Sequence, residues 1–446
     1  MGTVTAGNLL LLITHLIDMV KGSTLPKDHA SMYHTMLRRF VSCLVCLIVP
    51  VLLTAEEWPE FRGPGAQGHY AGKLPTVWNE TKNVAWSVDI PGQGWSSPVI
   101  VADKIYLTAA VPGKDKSYSL RCLCLDTHDG KTLWDTEVFA QPASSPRIHN
   151  KNSHASPTPV VKDGRIYVHF GHLGIACLDT AGKILWKNND YHYQPVHGNG
   201  GSPCITQETL IFSVDGTDMQ SVIGLDLHTG KERWKTNRNV ETTKHFSFGT
   251  PLIITVNGKE QVISVGSDVV MALDPYTGKE IWRAGFKGYS QIPRPVYSNG
   301  LVYICTGYDS SKLLAIKPDG KGDVTMTHIA WTVPRSVPNT PSPIIVGDAL
   351  YMVSDFSVMS CLDAKTGEQR WQGRLSGGYS ASLLEADGKI YAMNEKGVCT
   401  VVEAGPKYVE ISKNALPGRT LATPAPYGGM LFIRTDEKLY CIKSAS

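Results

Sequence analysis

The sequence lacks most of what would carry it into a membrane, onto nucleic acid or into common hydrolytic chemistry. Its apolar run from Phe40 to Leu53 contains Pro50 and is shorter than the ~20 residues that span a bilayer. Excess charge is scarce. The formal net charge is +3, and four Lys/Arg with two Asp/Glu lie in residues 1–55, which leaves the rest at +1. Without a basic stripe there is no electrostatic footprint for nucleic acid. No Gly-x-Ser-x-Gly elbow supplies a nucleophile. No Gly-rich loop stands between a strand and a helix to cradle phosphate, and little helix is expected at all. No Cys-x-x-Cys-His haem signature occurs, since Cys43 and Cys46 are each followed by Leu. No low-complexity tract follows the N-terminus.

What is present is a repeated phrase. It runs small residue, Leu, Asp, a Gly-Lys turn, then Trp. The fullest copy is Ala272 to Trp282; others are Cys124–Trp134, Cys177–Trp186, Gly224–Trp234 and Cys361–Trp371, and a degraded copy runs from Ala315 to Trp331. A period of roughly 40–50 residues with turn-punctuated strands predicts a β-propeller. Each repeat parses as four strands, the innermost starting near a Ser/Thr-Pro step. These starts are Ser97-Pro98, Ser156-Pro157, Ser202-Pro203, Thr250-Pro251, Arg294-Pro295, Ser342-Pro343, Ala381-Ser382 and Thr423-Pro424. They predict eight blades. The last unit lacks an outer strand, while Val84–Ile90 is an outer strand with no inner strands before it, so the two are expected to pair and close the ring. In the seventh unit Lys407–Ile411 is the expected outer strand, with Tyr408 in place of Trp.

The repeated residues have structural work. An outer-strand indole (Trp86, Trp134, Trp186, Trp234, Trp282, Trp331, Trp371) can cover the next blade and bury much apolar area. The Asp carboxylate can accept turn N–H groups, and Gly tolerates the positive φ of that turn. Cys124, Cys177, Cys361 and Cys441 share a slot with Gly224 and Ala272. They therefore read as small buried hydrophobes rather than disulfide or metal ligands.

The pattern A-x-D-x-x-T-G-K-x-x-W resembles the tryptophan-docking motif of the pyrroloquinoline-quinone (PQQ) repeat family, over residues 83–446. That family holds eight-bladed quinoprotein alcohol dehydrogenases and a propeller lipoprotein that assists outer-membrane β-barrel assembly. The lead-in Trp58-Pro59-Glu60-Phe61-Arg62-Gly63-Pro64 resembles the start of many exported propellers of the family. The resemblance implies an all-β, eight-bladed propeller of four-stranded antiparallel blades. It also implies that any quinoprotein chemistry would need an adjacent Cys-Cys pair and Ca²⁺ held by acidic and amide side chains. The chain has no Cys-Cys pair, and Asp215-Gly216-Thr217-Asp218 offers too few oxygens at calcium-loop spacing and reads as a β-turn.

Three segments are expected. Residues 1–55 are an export region, in which Met36–Ala55 alone fits the signal pattern. Translation is expected to start at Met32 or Met36 and the mature chain near Glu56. Residues 56–82 are a lead-in, and 83–446 the propeller. The protein is expected in the periplasm or outside the cell, as a monomer, touching membrane only through an uncleaved N-terminal segment.

Loops that enter the inner strands converge on one face, where binding residues concentrate. Three residues before each inner-strand Pro, or before Ser382, stand Trp95, His154, Gly200, Phe248, Ile292, Thr340, Tyr379 and Leu421. Asn199, Gln291 and Asn339 lie one residue earlier, and His149, His197, His245, Phe246 and Arg419 lie nearby. Trp95, His154, His197, Asn199, His245, Phe246, Gln291, Asn339, Tyr379 and Arg419 are the candidates for binding a polar ligand or a protein segment. The competing reading is that they fill and hydrate a funnel mouth. No catalytic residue, metal site or cofactor is assigned. The expected role is a ligand-binding or assembly scaffold; the alternative is a PQQ-dependent alcohol or sugar oxidoreductase with Ca²⁺.

Overall fold

The computed structural model describes residues 56–144, 148–309 and 311–444. The expected export signal and start sites lie outside them. Among the described residues no helix is long and apolar enough to cross a membrane. Eight antiparallel sheets follow in chain order, at 99–141, 160–188, 204–237, 252–285, 296–333, 344–374, 384–415 and 425–442. These are blades 1 to 8 of the propeller.

Val84–Asp89 pairs antiparallel with Lys438–Ile442 as the outer strand of blade 8. The ring therefore closes with strands from both ends of the propeller, and no blade is left with an open ladder there.

One rule governs the blades. The second-strand residue, the small slot and the Trp stand side by side across three strands. The rows are Tyr106–Cys124–Trp134, Tyr167–Cys177–Trp186 and Tyr351–Cys361–Trp371. In blade 8 the row is Phe432–Cys441–Trp86. The two rings meet over the small residue, with centroids 5.7–6.0 Å apart where both are aromatic. A larger slot residue would push them apart. All eight cysteines among the described residues are free and buried, and four of them, Cys124, Cys177, Cys361 and Cys441, fill the slot.

Each indole then docks on the next blade. Trp86, Trp134, Trp186, Trp234, Trp282 and Trp371 donate Nε1–H to the carbonyls of Thr127, Thr180, Leu227, Pro275, Pro318 and Gly405, at 2.9–3.1 Å. Trp331 does not; Tyr303 holds the carbonyl of Ala364 instead, at 2.9 Å. The turn glycines have a second role besides their backbone. A Cβ on Gly130 would lie 2.7 Å from the Trp86 ring, and one on Gly278 2.5 Å from Trp234. Gly130 is at φ 73°, so both conformation and contact demand glycine there. The Asp residues cap the same turns: Asp226 Oδ1 accepts from the N–H groups of His228 and Thr229.

Burial of the indoles is uneven. Trp282 is fully buried, Trp234 and Trp371 nearly so, and Trp86, Trp134, Trp186 and Trp331 are half-buried. The degraded repeat explains Trp282. Its insertion sends Gly322–Asp323 back to pair with Trp282 and Arg283 as a fifth strand, which seals the indole.

Three expectations are corrected. The blade 7 outer strand is Glu410–Ala415, not Lys407–Ile411. Its row is Tyr391–Val401–Ser412, so a large slot residue faces a small outer one. Tyr408 precedes the strand and packs edge-on against Trp371 of blade 6, 5.6 Å between centroids. In blade 2 the inner-strand start is Thr158-Pro159 rather than Ser156-Pro157, and in blade 7 it is Ser382-Leu383 rather than Ala381-Ser382, because these residues occupy the register of Ser97-Pro98. The third correction concerns Asp215, expected in a plain turn. It is a buried partner of Arg238, with Nε–Oδ1 at 2.7 Å and Nη2–Oδ2 at 2.8 Å.

Candidate functional site

The lead-in does more than enter the ring. Trp58 exchanges two backbone hydrogen bonds with Ile100 on the inner strand of blade 1, and Pro59 accepts one from Val161 on that of blade 2. Glu60 receives the Arg294 guanidinium of blade 5 at 2.9 Å, and Arg62 donates to the carbonyl of Pro343 in blade 6 at 2.6 Å. Glu385 in blade 7 donates its N–H to Gly68. The segment 58–69 thus crosses the inner strands on opposite sides of the ring and plugs the channel from one end.

Above the plug lies a belt. Each inner-strand hydroxyl accepts the backbone N–H of the preceding blade's equivalent residue. The order is Ser97 N–H to Thr158, Thr158 to Ser202 and Ser202 to Thr250, then Arg294 to Ser342, Ser342 to Ser382, Ser382 to Thr423 and Thr423 back to Ser97. All seven bonds measure 2.9–3.1 Å. Arg294 alone interrupts the belt, and its side chain turns down to clamp Phe61 and Glu60 of the plug.

A cavity of about 290 Å³ opens above this belt, with Phe61 in its lining. Two residues before each belt position come Trp95, Ser156, Gly200, Phe248, Ile292, Thr340, Ser380 and Leu421, and all eight line it. Nearer the mouth, aromatic rings run in an unbroken arc. His149 meets His197 at 5.5 Å, His197 meets Phe246 at 5.2 Å, Phe246 meets Tyr289 at 5.5 Å, and Tyr289 meets Tyr308 at 6.3 Å. The loop between blades 1 and 2 reaches across: Lys151 pairs with Glu395 of blade 7 at 2.7 Å, and Arg419 of blade 8 donates to the carbonyl of Asn150.

Of the ten candidates, Trp95, His197 and Phe246 line the cavity. Arg419 lies at the mouth with its guanidinium 5.5 Å over the Trp95 ring. The other six stand outside the lining, and their partners explain why. His154 packs on Tyr118 and Gln141, and burial pushes its pKa down to about 4. Asn199 bonds Tyr193 and His169. Gln291 is fully buried and donates to the carbonyl of Thr306. Asn339 receives Ser311, Tyr379 is fully buried in the blade 6–7 core, and His245 lies half-buried off the cavity. The two-residue register correction accounts for His154; in blade 7, Ser380 takes the place expected of Tyr379. Lys151, Tyr308, Phe61 and the belt hydroxyls were missed. The recurring Ser/Thr-Pro step was a sequence signal for the belt, read only as a strand marker.

The lining has no Asp or Glu, and no group of three His, Cys, Asp or Glu suited to a metal occurs among the described residues. The cysteines are dispersed in blade cores. This donor set does not match a quinone with calcium, which needs carboxylate oxygens at the axis.

Closed ring, docked tryptophans and a funnel open at one end define an eight-bladed propeller of PQQ-type repeats. The chain belongs to the family described as outer membrane protein assembly factor BamB, whose model matches residues 69–189, 121–311 and 328–440. A curated relative, outer membrane protein assembly factor BamB of Burkholderia pseudomallei (strain K96243), is 32% identical over 95 residues. That match covers 21% of this chain and spans only 24% of the relative's length. Among solved structures, BamB from Moraxella catarrhalis aligns with a TM-score of 0.57 at 14% identity, over 80% of this chain and 98% of that one. A europium-containing methanol dehydrogenase aligns with a TM-score of 0.64 at 10% identity, over 87% and 98%. At these identities the structural likenesses establish the fold alone.

Proposed function

We propose that this chain is an exported, non-catalytic propeller that serves as a binding scaffold in outer-membrane protein assembly. The observation that carries the reading is the match to the assembly-factor family along most of the propeller. The site is consistent with it. The funnel opens on one face, is walled by aromatic rings and hydroxyls, and has no carboxylate in its lining to act as a general base. A rigid ring with loops gathered at one end is a scaffold for binding. In this reading residues 1–55 direct export to the periplasm, residues 56–82 form the lead-in, and the funnel face meets a protein segment.

The test is made in the native organism with a chromosomally tagged chain. Crosslinking in cells is expected to join it to a component of the outer-membrane assembly machinery, and its deletion to lower outer-membrane β-barrel levels. Unchanged levels together with no such crosslink would reject the reading. In parallel, calorimetric titration with PQQ and Ca²⁺ is expected to give no heat; turnover of an alcohol in their presence would replace the scaffold with an oxidoreductase.

A further inference from the structure

The belt hydroxyls have a property that their structural role leaves unused. Each Oγ accepts one backbone N–H, so one of its two lone pairs serves the ring. Yet among the described residues no acceptor receives any of the seven O–H protons. All seven side chains are at least nine-tenths buried and all line the cavity. A hydroxyl carries one donor, and a buried donor without a partner costs free energy. Seven donors therefore line one cavity, and none of them is received by another of the described residues.

The charge beneath the belt has the same sign preference. Arg62 and Arg294 are both fully buried in the plug region, and Glu60 is the one carboxylate paired with them, at 2.9 Å from Arg294. Among the described residues Arg62 has no acidic partner. Its Nη2 donates to the carbonyls of Gln67 and Pro343, and Nε and Nη1 have no hydrogen-bond partner among those residues. Pro343 adjoins the belt residue Ser342. One uncompensated positive charge is thus held under a circle of O–H donors, in surroundings where electrostatic interactions are strong. Above the belt the wall alternates between Trp95, Phe248, Ile292 and Leu421, which are apolar, and Ser156, Gly200, Thr340 and Ser380; the Thr340 and Ser380 hydroxyls are already engaged, donating away from the belt to Asp355 and Glu395.

We propose that the lower tier of the funnel is a carboxylate-binding site, the belt hydroxyls donating to the anionic oxygens while an apolar or aromatic body rests against Trp95 and Phe248. The site suits a free small carboxylate and the terminal carboxylate of an apolar peptide alike. It suits a sugar less well, because a neutral sugar gains neither charge-assisted hydrogen bonds from the belt nor attraction to the buried Arg62. The inference stands apart from the assembly reading: it concerns the purified chain and a ligand, and it would survive if no assembly partner were found.

The test is calorimetry on the purified mature chain at low salt. Sodium benzoate is expected to bind and inorganic sulfate to compete with it. Benzyl alcohol and glucose should bind at least about tenfold more weakly, since hydrogen bonds to charged groups are the stronger ones. A short apolar peptide is then compared with its C-amidated form. Binding of the free acid form alone identifies a chain end as the natural source; binding of benzoate but neither peptide identifies a free metabolite. Ser202→Ala and Ser342→Ala should each weaken benzoate. Since these hydroxyls also hold the ring, Ile292→Glu provides a variant that leaves the belt intact. It puts a carboxylate in the half-exposed wall above the belt and should weaken benzoate by about tenfold or more, whereas Ile292→Gln retains binding. Failure of benzoate, sulfate and the free peptide to bind at millimolar concentration would overturn the proposal. So would equal binding of benzyl alcohol, or an Ile292→Glu chain that is folded by its melting curve and binds benzoate undiminished.

Discussion

Between blades 3 and 4, Trp234 leaves its outer strand, sits over Gly224 and docks against Gly278 and the carbonyl of Pro275. Between blades 7 and 8 the same place has no such residue. Val401 fills the slot and Ser412 stands opposite. An indole is nonetheless present, delivered by a different part of the chain. The lead-in runs beside the blade 7 outer strand: Trp78 donates its backbone N–H to Asn414 Oδ1 at 2.9 Å, and Asn414 Nδ2 returns a bond to the carbonyl of Thr76 at 2.9 Å. Trp78 is buried in one cluster with Val401, Leu416 and the blade 8 core. The slot and its indole are therefore one unit. Where the slot is large, the in-blade indole is absent, and a Trp from the lead-in is buried at the junction.

The sharpest way to break this comparison is to remove the lead-in. Deleting residues 1–91 takes away the plug, Trp78 and the closing strand together, and leaves Lys438–Ile442 as an open edge. The truncated chain should aggregate or melt at a far lower temperature. A monomeric truncation with an unchanged melting curve would refute closure by the N-terminal strand. Next, Trp78→Ala and Trp234→Ala should each cost about 3–5 kcal/mol in denaturant unfolding, because both are buried. If Trp78→Ala costs under about 1 kcal/mol, far below the usual cost of emptying a buried aromatic site, the lead-in indole does not hold the junction.

The junction between blades 2 and 3 offers a pH handle. His169 is fully buried there, against the carbonyl of Gly201 and 4.7 Å from the Phe212 ring. Burial lowers its pKa to about 4. Between that value and the ordinary 6.5 the unfolded chain binds a proton that the folded chain refuses. Stability is therefore full above about pH 6.5 and falls as pH drops toward 4, by about 2–3 kcal/mol for this group. The melting temperature should decline over that window, and His169→Gln should flatten the decline; an equally steep decline in the variant would remove the histidine from the account. Gly224→Val tests the slot itself by installing the blade 7 residue in blade 3. A Cβ there would lie 2.2 Å from the Trp234 ring, so a loss of about 1–3 kcal/mol is expected from overpacking. No measurable loss would mean that slot size and indole are independent.

The repeat was legible because its residues act locally or against the adjacent blade. Asp caps the turn that follows it, Gly seats a neighbour's indole, and the small slot lies between two rings; all recur at one spacing, so the copies interpret one another. Blade number and ring closure followed from counting inner-strand starts and noticing the unpaired strand at Val84–Ile90. Loop residues have no such recurrence. Gln291 and Asn339 read as polar loop positions, yet each is consumed by a nearby partner, and two residues of slip in blade 2 exchanged Ser156 for His154.

The sequence by itself determined the all-β class, the eight repeats, the docking tryptophans and the pairing of the first strand with the last, since each rests on short-range periodicity or on a visible deficit. Only the tertiary structure decided that Trp58–Arg62 plugs the channel, that Trp78 serves blade 7, and that seven hydroxyls close into a belt facing one axis. Those facts join residues as far apart as Ser97 and Thr423, or Arg62 and Pro343. They come into being when the ring shuts and the inner strands converge, and no local pattern along the chain encodes which side chains then point inward.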